Sequence, residues 1–190
     1  MRVKILFIGL LFSTVVSAQT AKQNTYTNPV LPLDYSDPDA IRVGDAYYMT
    51  ASSFNHVPGL PILKSYDLVH WQLIGHALSV LTPQDHFNTV RHGGGVWAPS
   101  IRYHNNQFYI FYPDPDFGIY LTKAKNISGP WTEPVLVQAG KGLIDPCPLW
   151  DDNGKNYLVH ALAGSRAGFK SVILMKELNA AGDKVISDGV

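Results

Sequence analysis

Short apolar runs alternate with polar turns along the chain from residue 28 onward, and they recur about every eight to twelve residues. Most runs are rich in Tyr, Phe, Val and Ile, and none keeps a helical apolar stripe for three full turns. Gly and Pro interrupt the chain often, which breaks helices more readily than hairpins. The pattern therefore predicts an all-β protein. The predicted strands are 40–43, 46–53, 62–65, 72–74, 100–103, 107–112, 119–124, 136–138, 147–150, 156–161 and 171–178.

Three segments repeat one pattern, and the same position in each repeat holds Asp37, Trp97 and Asp145. A strand follows each of these residues, then a polar turn, then an aromatic residue that opens the next strand. The equivalent positions lie 60 and 48 residues apart, about the length of a propeller blade. Because stacked repeats place equivalent positions around one axis, we expect these three side chains to converge. A β-sandwich, which ranks second, would not bring them together.

The repeats predict a β-propeller of which about three blades are present, and the third blade extends to Val190. Closed propellers need at least about four blades, because closure removes exposed sheet edges. We therefore expect the sequence to be truncated, and we expect these blades alone not to form a closed domain.

The first eighteen residues have the layout of a secretory signal peptide. Arg2 and Lys4 precede an apolar run over 5–16, and Val16-Ser17-Ala18 offers small residues for cleavage. A membrane anchor is excluded by length, because a span needs roughly 20 apolar residues. We expect residues 1–18 to be removed, residues 19–27 to form a polar leader, and the mature protein to be secreted or periplasmic.

Composition excludes several classes of function. The net charge is zero and charged residues make up 16% of the chain, so no electrostatic footprint for nucleic acid or an acidic membrane surface exists. Aromatic residues make up 12%, which fits a β-protein that stacks its rings on apolar faces such as those of sugars. The single cysteine, Cys147, cannot form an internal disulfide, and we expect it to be a buried thiol.

Three ordered motifs carry a resemblance to a known family. The first joins Asn28-Pro29-Val30 to Ser36-Asp37-Pro38-Asp39, and the second is Gly94-Gly95-Val96-Trp97-Ala98-Pro99-Ser100-Ile101. The third is Gly142-Leu143-Ile144-Asp145-Pro146-Cys147-Pro148-Leu149-Trp150-Asp151-Asp152. Over nearly all of residues 28–190, the chain resembles the N-terminal portion of glycoside hydrolase family 43. That resemblance implies a five-bladed β-propeller in the complete protein and hydrolysis of arabinose- and xylose-containing polysaccharides with inversion.

The resemblance also implies roles for single residues. Asp37 resembles the general base, and Asp145 resembles the carboxylate that raises the pKa of the general acid. Trp97 resembles an aromatic wall on which a pentose ring lies, and Phe54 resembles an aromatic at the same subsite. Inversion needs carboxyls roughly 6.5–9.5 Å apart, with water activated on one sugar face and the leaving oxygen protonated from the other. Asp39, close to the base, is expected to cap a turn.

The implied substrates are terminal arabinofuranosyl or xylosyl groups of hemicellulose or its oligosaccharides, and the residues leave the choice between the two sugars open. No cofactor is required, and no metal site is predicted. Some family members hold an ion in the axial channel, and the sequence neither demands nor excludes one such as calcium. The run Asp151-Asp152-Asn153-Gly154 is typical of a hairpin turn.

One expected part is missing from the sequence. The family's general acid is a glutamate in a Glu-Gly-Pro motif, and the two glutamates here, Glu133 and Glu177, stand in other contexts. We therefore expect negligible hydrolysis by these 190 residues alone. A non-catalytic carbohydrate-binding propeller stays open as an alternative, although it would not need both aspartates. A protein-interaction propeller of the WD type is supported only by Trp150-Asp151.

Overall fold

The computed structural model describes residues 25–189, and nearly all of its regular structure is β-strand. Eleven strands form three antiparallel sheets, so the predicted all-β class is confirmed. Each predicted strand has a counterpart. The predicted signal peptide, residues 1–18, lies outside the described residues, as does most of the predicted leader. No helix within residues 25–189 is long and apolar enough to cross a membrane.

The first sheet is a four-stranded meander. Its strands are β1 (Asp39–Val43), β2 (Ala46–Thr50), β3 (Gly59–Ser65) and β4 (Gln72–Leu78), which pair in chain order. A two-residue turn joins β1 to β2, because Val43 pairs with Ala46. Asp39 pairs with Thr50 at the opposite end, so the chain enters β1 and leaves β2 at the same end of the sheet.

The second sheet repeats this meander with longer inner strands. Its members are β5 (Ser100–His104), β6 (Gln107–Asp114), β7 (Gly118–Ala124) and β8 (Val135–Ala139). A 21-residue connection, residues 79–99, joins the two sheets and contains a single 3₁₀ turn at His86–Asn88. That turn was not predicted, because three residues are too few to show a helical period.

The third sheet has three strands, β9 (Leu143–Trp150), β10 (Asn156–Leu162) and β11 (Ile173–Leu178). A one-turn helix, α1 (Gly164–Ala167), lies in the connection between β10 and β11. It was not predicted from the sequence, since one turn leaves no amphipathic pattern.

Apolar side chains fill the spaces between consecutive sheets. Alternate residues of β6 point to opposite faces, as strand geometry requires. Ile110 and Tyr112 join the core shared with the first sheet, where Leu60 is fully buried. Phe111 joins the core shared with the third sheet, where Leu158 is fully buried. The second sheet is thus packed on both faces, and each fully buried side chain of this size contributes about 1.5–3 kcal/mol.

The first strands of the three sheets, β1, β5 and β9, lie side by side. Successive meanders that pack face to face with their first strands adjacent are the blades of a propeller, as predicted. We call the end where the chain enters these first strands the site end, because Asp37, Trp97 and Asp145 lie there. The opposite end, with the turns Gly44–Asp45, Asn105–Asn106 and 151–155, is the turn end.

Candidate functional site

Asp37 lies two residues before β1, and two serine hydroxyls hold its carboxylate. Ser52 Oγ donates to Asp37 Oδ2 at 2.8 Å, and Ser36 Oγ donates to the same oxygen at 3.0 Å. The Ser52 N–H also donates to the Ser36 carbonyl at 2.9 Å, which ties the segment before β1 to the segment after β2. The Asp37 side chain is exposed, and both hydroxyls bond to its Oδ2.

Asp145 enters the same region from β9. Its residue is exposed, yet neighbouring atoms shield its carboxyl, and this burial together with the negative charge of Asp37 raises its pKa. A charge acts on another group's pKa in this way only over a short distance. The structure therefore brings together two carboxylates that are 108 residues apart in the chain.

Trp97 stands between these two residues in chain order and is anchored at two points. Its backbone N–H donates to the Pro113 carbonyl at 3.0 Å, and its indole Nε1–H donates to the Gly93 carbonyl at 2.8 Å. The side chain is half-buried, so part of the ring faces solvent. The Arg166 guanidinium lies over the ring, 5.6 Å from its centroid. An anchored, partly exposed indole of this kind provides a flat apolar surface for stacking.

Phe54 lies next to the Trp97 segment and follows Ser52 on the same connection. Its N–H donates to the Val96 carbonyl at 2.8 Å, and the Val96 N–H donates back at 3.0 Å. The segment 52–54 therefore makes two contacts. Ser52 bonds to Asp37, and the backbone of Phe54 bonds to Val96, the residue before Trp97. The close approach requires Gly95, since a Cβ there would lie 2.3 Å from the Phe54 carbonyl oxygen.

A cleft of about 260 Å³ opens beside the two serines that bond Asp37. Phe54, His56 and His76 also line it, whereas Asp145 does not. The cleft thus extends outward from Asp37 along the first blade and is distinct from the place where the two carboxylates meet.

The sequence did not reveal Asp114 as a buried acid at the site end. It ends β6, its side chain is 3% exposed, and burial raises its pKa to about 6. The Asp116 N–H donates to Asp114 Oδ1 at 2.9 Å. The run Pro113-Asp114-Pro115-Asp116 looks like an ordinary turn, so nothing in the sequence distinguishes this acid from exposed ones.

The interpretation of Asp39 as a turn cap is wrong. Its Oδ2 accepts the backbone N–H of Ile101 at 2.8 Å and forms an ion pair with the Arg102 guanidinium, so it bonds the neighbouring blade. Arg102 Nη2 also donates to Cys147 Sγ at 3.1 Å. The Cys147 thiol was expected to be buried. It is only partly buried, and it faces the Arg102 guanidinium. These three residues connect β1, β5 and β9 just below the carboxylates.

The described residues were also compared with the requirements of a metal site. Within residues 25–189, no group of three or more His, Cys, Asp or Glu side chains is arranged to hold an ion. The turn at 151–154 is a hairpin turn, as predicted, in which the Asp151 N–H donates to the Lys155 carbonyl at 2.9 Å.

Comparison with known proteins gives consistent results. The model of the family "Glycosyl hydrolases family 43" matches residues 26–190. A β-xylosidase of Formosa agariphila is 33% identical over 92% of this chain, and a non-reducing end α-L-arabinofuranosidase of Bacteroides ovatus is 38% identical over 83%. Among solved structures, a family 43 protein of Bacillus licheniformis superposes with a TM-score of 0.72 at 32% identity and covers 87% of this chain.

These proteins are much longer than the chain. It spans 32% of the Formosa enzyme, 29% of the Bacteroides enzyme and 32% of the Bacillus structure.

Proposed function

Because the chain belongs to glycosyl hydrolase family 43, we propose that it carries part of the active site of an inverting glycosidase. The proposed reaction removes terminal arabinofuranosyl or xylosyl residues from plant hemicellulose or its oligosaccharides. The printed activities of the relatives, a β-xylosidase and an α-L-arabinofuranosidase, support this substrate class. The observation that carries the proposal is the placement of Asp37 and Asp145 together at the site end, where the first strands of the blades lie side by side.

In this proposal Asp37 is the general base. A base must reach a water molecule and must be ionised when the substrate binds. Asp37 is exposed, and both of its donors are neutral hydroxyls on one oxygen, Oδ2. The other oxygen, Oδ1, is then the one to accept a proton from water attacking the anomeric carbon.

Asp145 is the carboxylate that tunes the acid. A negative charge beside a carboxylic acid disfavours its ionisation, which keeps a proton donor protonated near neutral pH. Burial and the charge of Asp37 both raise the pKa of Asp145, and the second of these causes supports this role, because it indicates that carboxylate charges act on one another at the site end. Trp97 and Phe54 form the apolar surface against which the C–H face of the pentose packs.

Neither glutamate of the chain is placed for the proton-donor role. Glu133 is exposed between β7 and β8, and Glu177 pairs through Oε2 with Lys155 Nζ at 2.9 Å at the far edge of the third sheet. We therefore propose that the 190-residue chain alone hydrolyses glycosides negligibly. A carbohydrate-binding propeller without catalysis is the second candidate function, although it would not need both aspartates.

Export is part of the proposal. Residues 1–18 have the charged, apolar and small-residue regions of a signal peptide, which supports a secreted or periplasmic enzyme that meets polysaccharide outside the cytoplasm. Amino-terminal sequencing of the mature protein tests this, and a mature chain that still begins at Met1 contradicts it.

The deciding experiment compares the full product of the gene with its Asp37→Asn variant on an aryl α-L-arabinofuranoside and an aryl β-xyloside. We expect Asp37→Asn to lower kcat by about 10²–10⁴-fold, the usual contribution of a general base. Asp45→Asn, an exposed aspartate of the β1–β2 turn, is the matched control and should leave kcat unchanged. Proton NMR of the first-formed anomer reports inversion. Unchanged turnover in Asp37→Asn would rule out the proposed base, and carbohydrate binding without any turnover would favour the second function.

A further inference from the structure

Arg166 belongs to the third blade, yet its side chain reaches the aromatic wall of the second. It lies in α1, whose single turn is closed by the Ala167 N–H donating to the Ala163 carbonyl at 2.8 Å. Gly168 then ends the helix in a left-handed conformation at φ 84°, with its N–H bonded to Gly164. The first two blades have no helix in the equivalent connection, so α1 is a local addition.

The position of α1 is fixed by the connection between the second and third blades. Gly142, in that connection, accepts a hydrogen bond from the Ala163 N–H at 2.8 Å and donates to the Pro115 carbonyl at 2.7 Å. A Cβ on Gly142 would lie 2.7 Å from both the backbone nitrogen and the Cβ of Ala167. The helix thus packs directly on the glycine, with no room for a side chain between them.

From this position Arg166 makes two contacts at the site end. Its Nε donates to Asp116 Oδ1 at 2.9 Å, and its guanidinium carbon lies 5.6 Å from the centroid of the Trp97 ring. Asp116 lies in the turn after β6, and the Trp97 backbone bonds to Pro113 in the same strand. Arg166 therefore joins two groups that are both attached to the end of β6.

Apart from its contact with Arg166, the Trp97 side chain makes one hydrogen bond. The indole N–H bonds to Gly93, in a run of three glycines of which two, Gly93 and Gly95, have φ of 72° and 89°. Glycines add backbone freedom, so a bond to Gly93 alone does not fix the plane of the ring. A guanidinium held by a carboxylate can fix it, because a cation prefers the face of an indole and Arg stacks flat on it.

We propose that Arg166, anchored by Asp116, is a positioning residue that holds the Trp97 indole in the orientation that receives the terminal sugar. The role of the indole rests on the proposed function, but its orientation by Arg166 does not. Arg166 acts through Trp97 and takes no part in proton transfer, so its loss weakens substrate binding while leaving the carboxylates intact.

The first test needs no substrate and uses the full gene product. Labelling with 5-fluorotryptophan gives a ¹⁹F resonance for each tryptophan, and Trp97→Phe assigns one of them to Trp97. We expect Arg166→Gln to shift and broaden the Trp97 resonance and to leave the other resonances in place. Asp116→Asn should produce a smaller change in the same resonance.

Arg42→Gln is the matched control, because Arg42 also lies over an aromatic ring, at 5.7 Å from the Tyr47 centroid, but near the turn end. It should leave the Trp97 resonance unchanged. A Trp97 resonance that does not respond to Arg166→Gln in a folded variant, as judged by the other tryptophan resonances, overturns the proposal. General broadening of all the resonances also overturns it, since Arg166 would then support the fold rather than the ring.

The second test uses the full gene product on the same aryl glycosides. We expect Arg166→Gln to raise KM about five- to tenfold with kcat within about twofold, the signature of lost binding that is equal in ground and transition states. Arg166→Lys keeps the cation and should recover part of the loss. A fall in kcat at unchanged KM contradicts the proposal. Absence of any hydrolysis by the parent protein would count against the proposed function, and the ¹⁹F result would still decide the role of Arg166.

Discussion

The backbone adopts left-handed conformations at both the site end and the turn end, but different residue types occupy them. At the turn end the chain enters the left-handed region at Gly44, Asn105, Asn106 and Gly154, with φ between 46° and 81°. Glycine has no Cβ to clash there, and asparagine tolerates the conformation better than most residues. The residues of the turn end therefore match the conformation that the hairpins require.

At the site end, glycines such as Gly93 and Gly95 again occupy left-handed positions, but three residues with side chains do so as well. Asp37, Phe54 and Asp145 have φ of 49°, 49° and 54°. Such a conformation costs of order 1–3 kcal/mol for a bulky residue and is kept only where surrounding structure holds it. Aspartate tolerates this region much as asparagine does, so the contrast with the turn end rests on Phe54, a bulky residue that keeps a left-handed conformation beside the Trp97 segment.

The largest expected effect is the difference in stability between two glycine-to-alanine variants, one at each end. Gly95→Ala puts a Cβ within 2.3 Å of the Phe54 carbonyl oxygen at φ 89°, and we expect it to destabilise the fold by about 3 kcal/mol or more. Gly44→Ala meets open space at φ 61°, and we expect a cost of about 1 kcal/mol. Urea unfolding of the two variants measures both, and equal costs would contradict the crowding that we infer at the site end.

The next effect depends on pH and tests the buried acid of the site end. The pKa of Asp114 in the folded protein, about 6, lies above its ordinary value, so its contribution to stability is full below about pH 4 and is lost as pH rises through 6. Asparagine stays uncharged and keeps the acceptor for the Asp116 N–H. We expect Asp114→Asn to stabilise the fold by up to about 3 kcal/mol at pH 8 and by little at pH 4.

Urea unfolding at the two pH values checks this expectation. Asp85→Asn is the control, because Asp85 is exposed and makes no capping hydrogen bond in its 3₁₀ turn. It should have the same small effect at both pH values. A gain for Asp114→Asn that is independent of pH would show that ionisation of this carboxyl does not oppose folding.

The smallest effect concerns the strained backbone itself. Asp145→Gly removes the Cβ from a left-handed position and removes a carboxyl that the charge of Asp37 opposes, so we expect the fold to gain about 1 kcal/mol. Asn106→Gly, at the turn end, should change stability by a few tenths of a kcal/mol, because asparagine already suits its position. Thermal melts of both variants measure the difference, and a loss of stability in Asp145→Gly would contradict the strain.

Local patterns predicted the strands well and their ends less well. The first strand of the third blade was predicted from residue 147, whereas β9 begins at Leu143, because pairing with β10 is interrupted at Asp145 and Pro146 and resumes at Ile144. The second strand was predicted to continue to residue 53, whereas β2 ends at Thr50. Beyond it the backbone bonds across to Val96, a partner that no local pattern specifies.

The sequence repeats made it possible to predict which residues share the site. They did not predict the side-chain contacts between blades. Asp37, Trp97 and Asp145 share a repeat position, so stacking of the repeats was enough to expect them together. The Asp39–Arg102–Cys147 connection joins three blades, and the contact of Arg166 with Trp97 depends on a one-turn helix. Both depend on three-dimensional packing between segments that carry no matching sequence signal.

The most direct test of the site is a ¹³C NMR titration of the Asp145 carboxyl in the full gene product and in its Asp37→Asn variant. The charge of Asp37 contributes to the raised pKa of Asp145, so removing that charge should lower the pKa toward its ordinary value. Asp45→Asn removes an equal charge at the turn end and should leave the titration unchanged. If the pKa of Asp145 is the same with and without the Asp37 carboxylate, the two acids do not share one site.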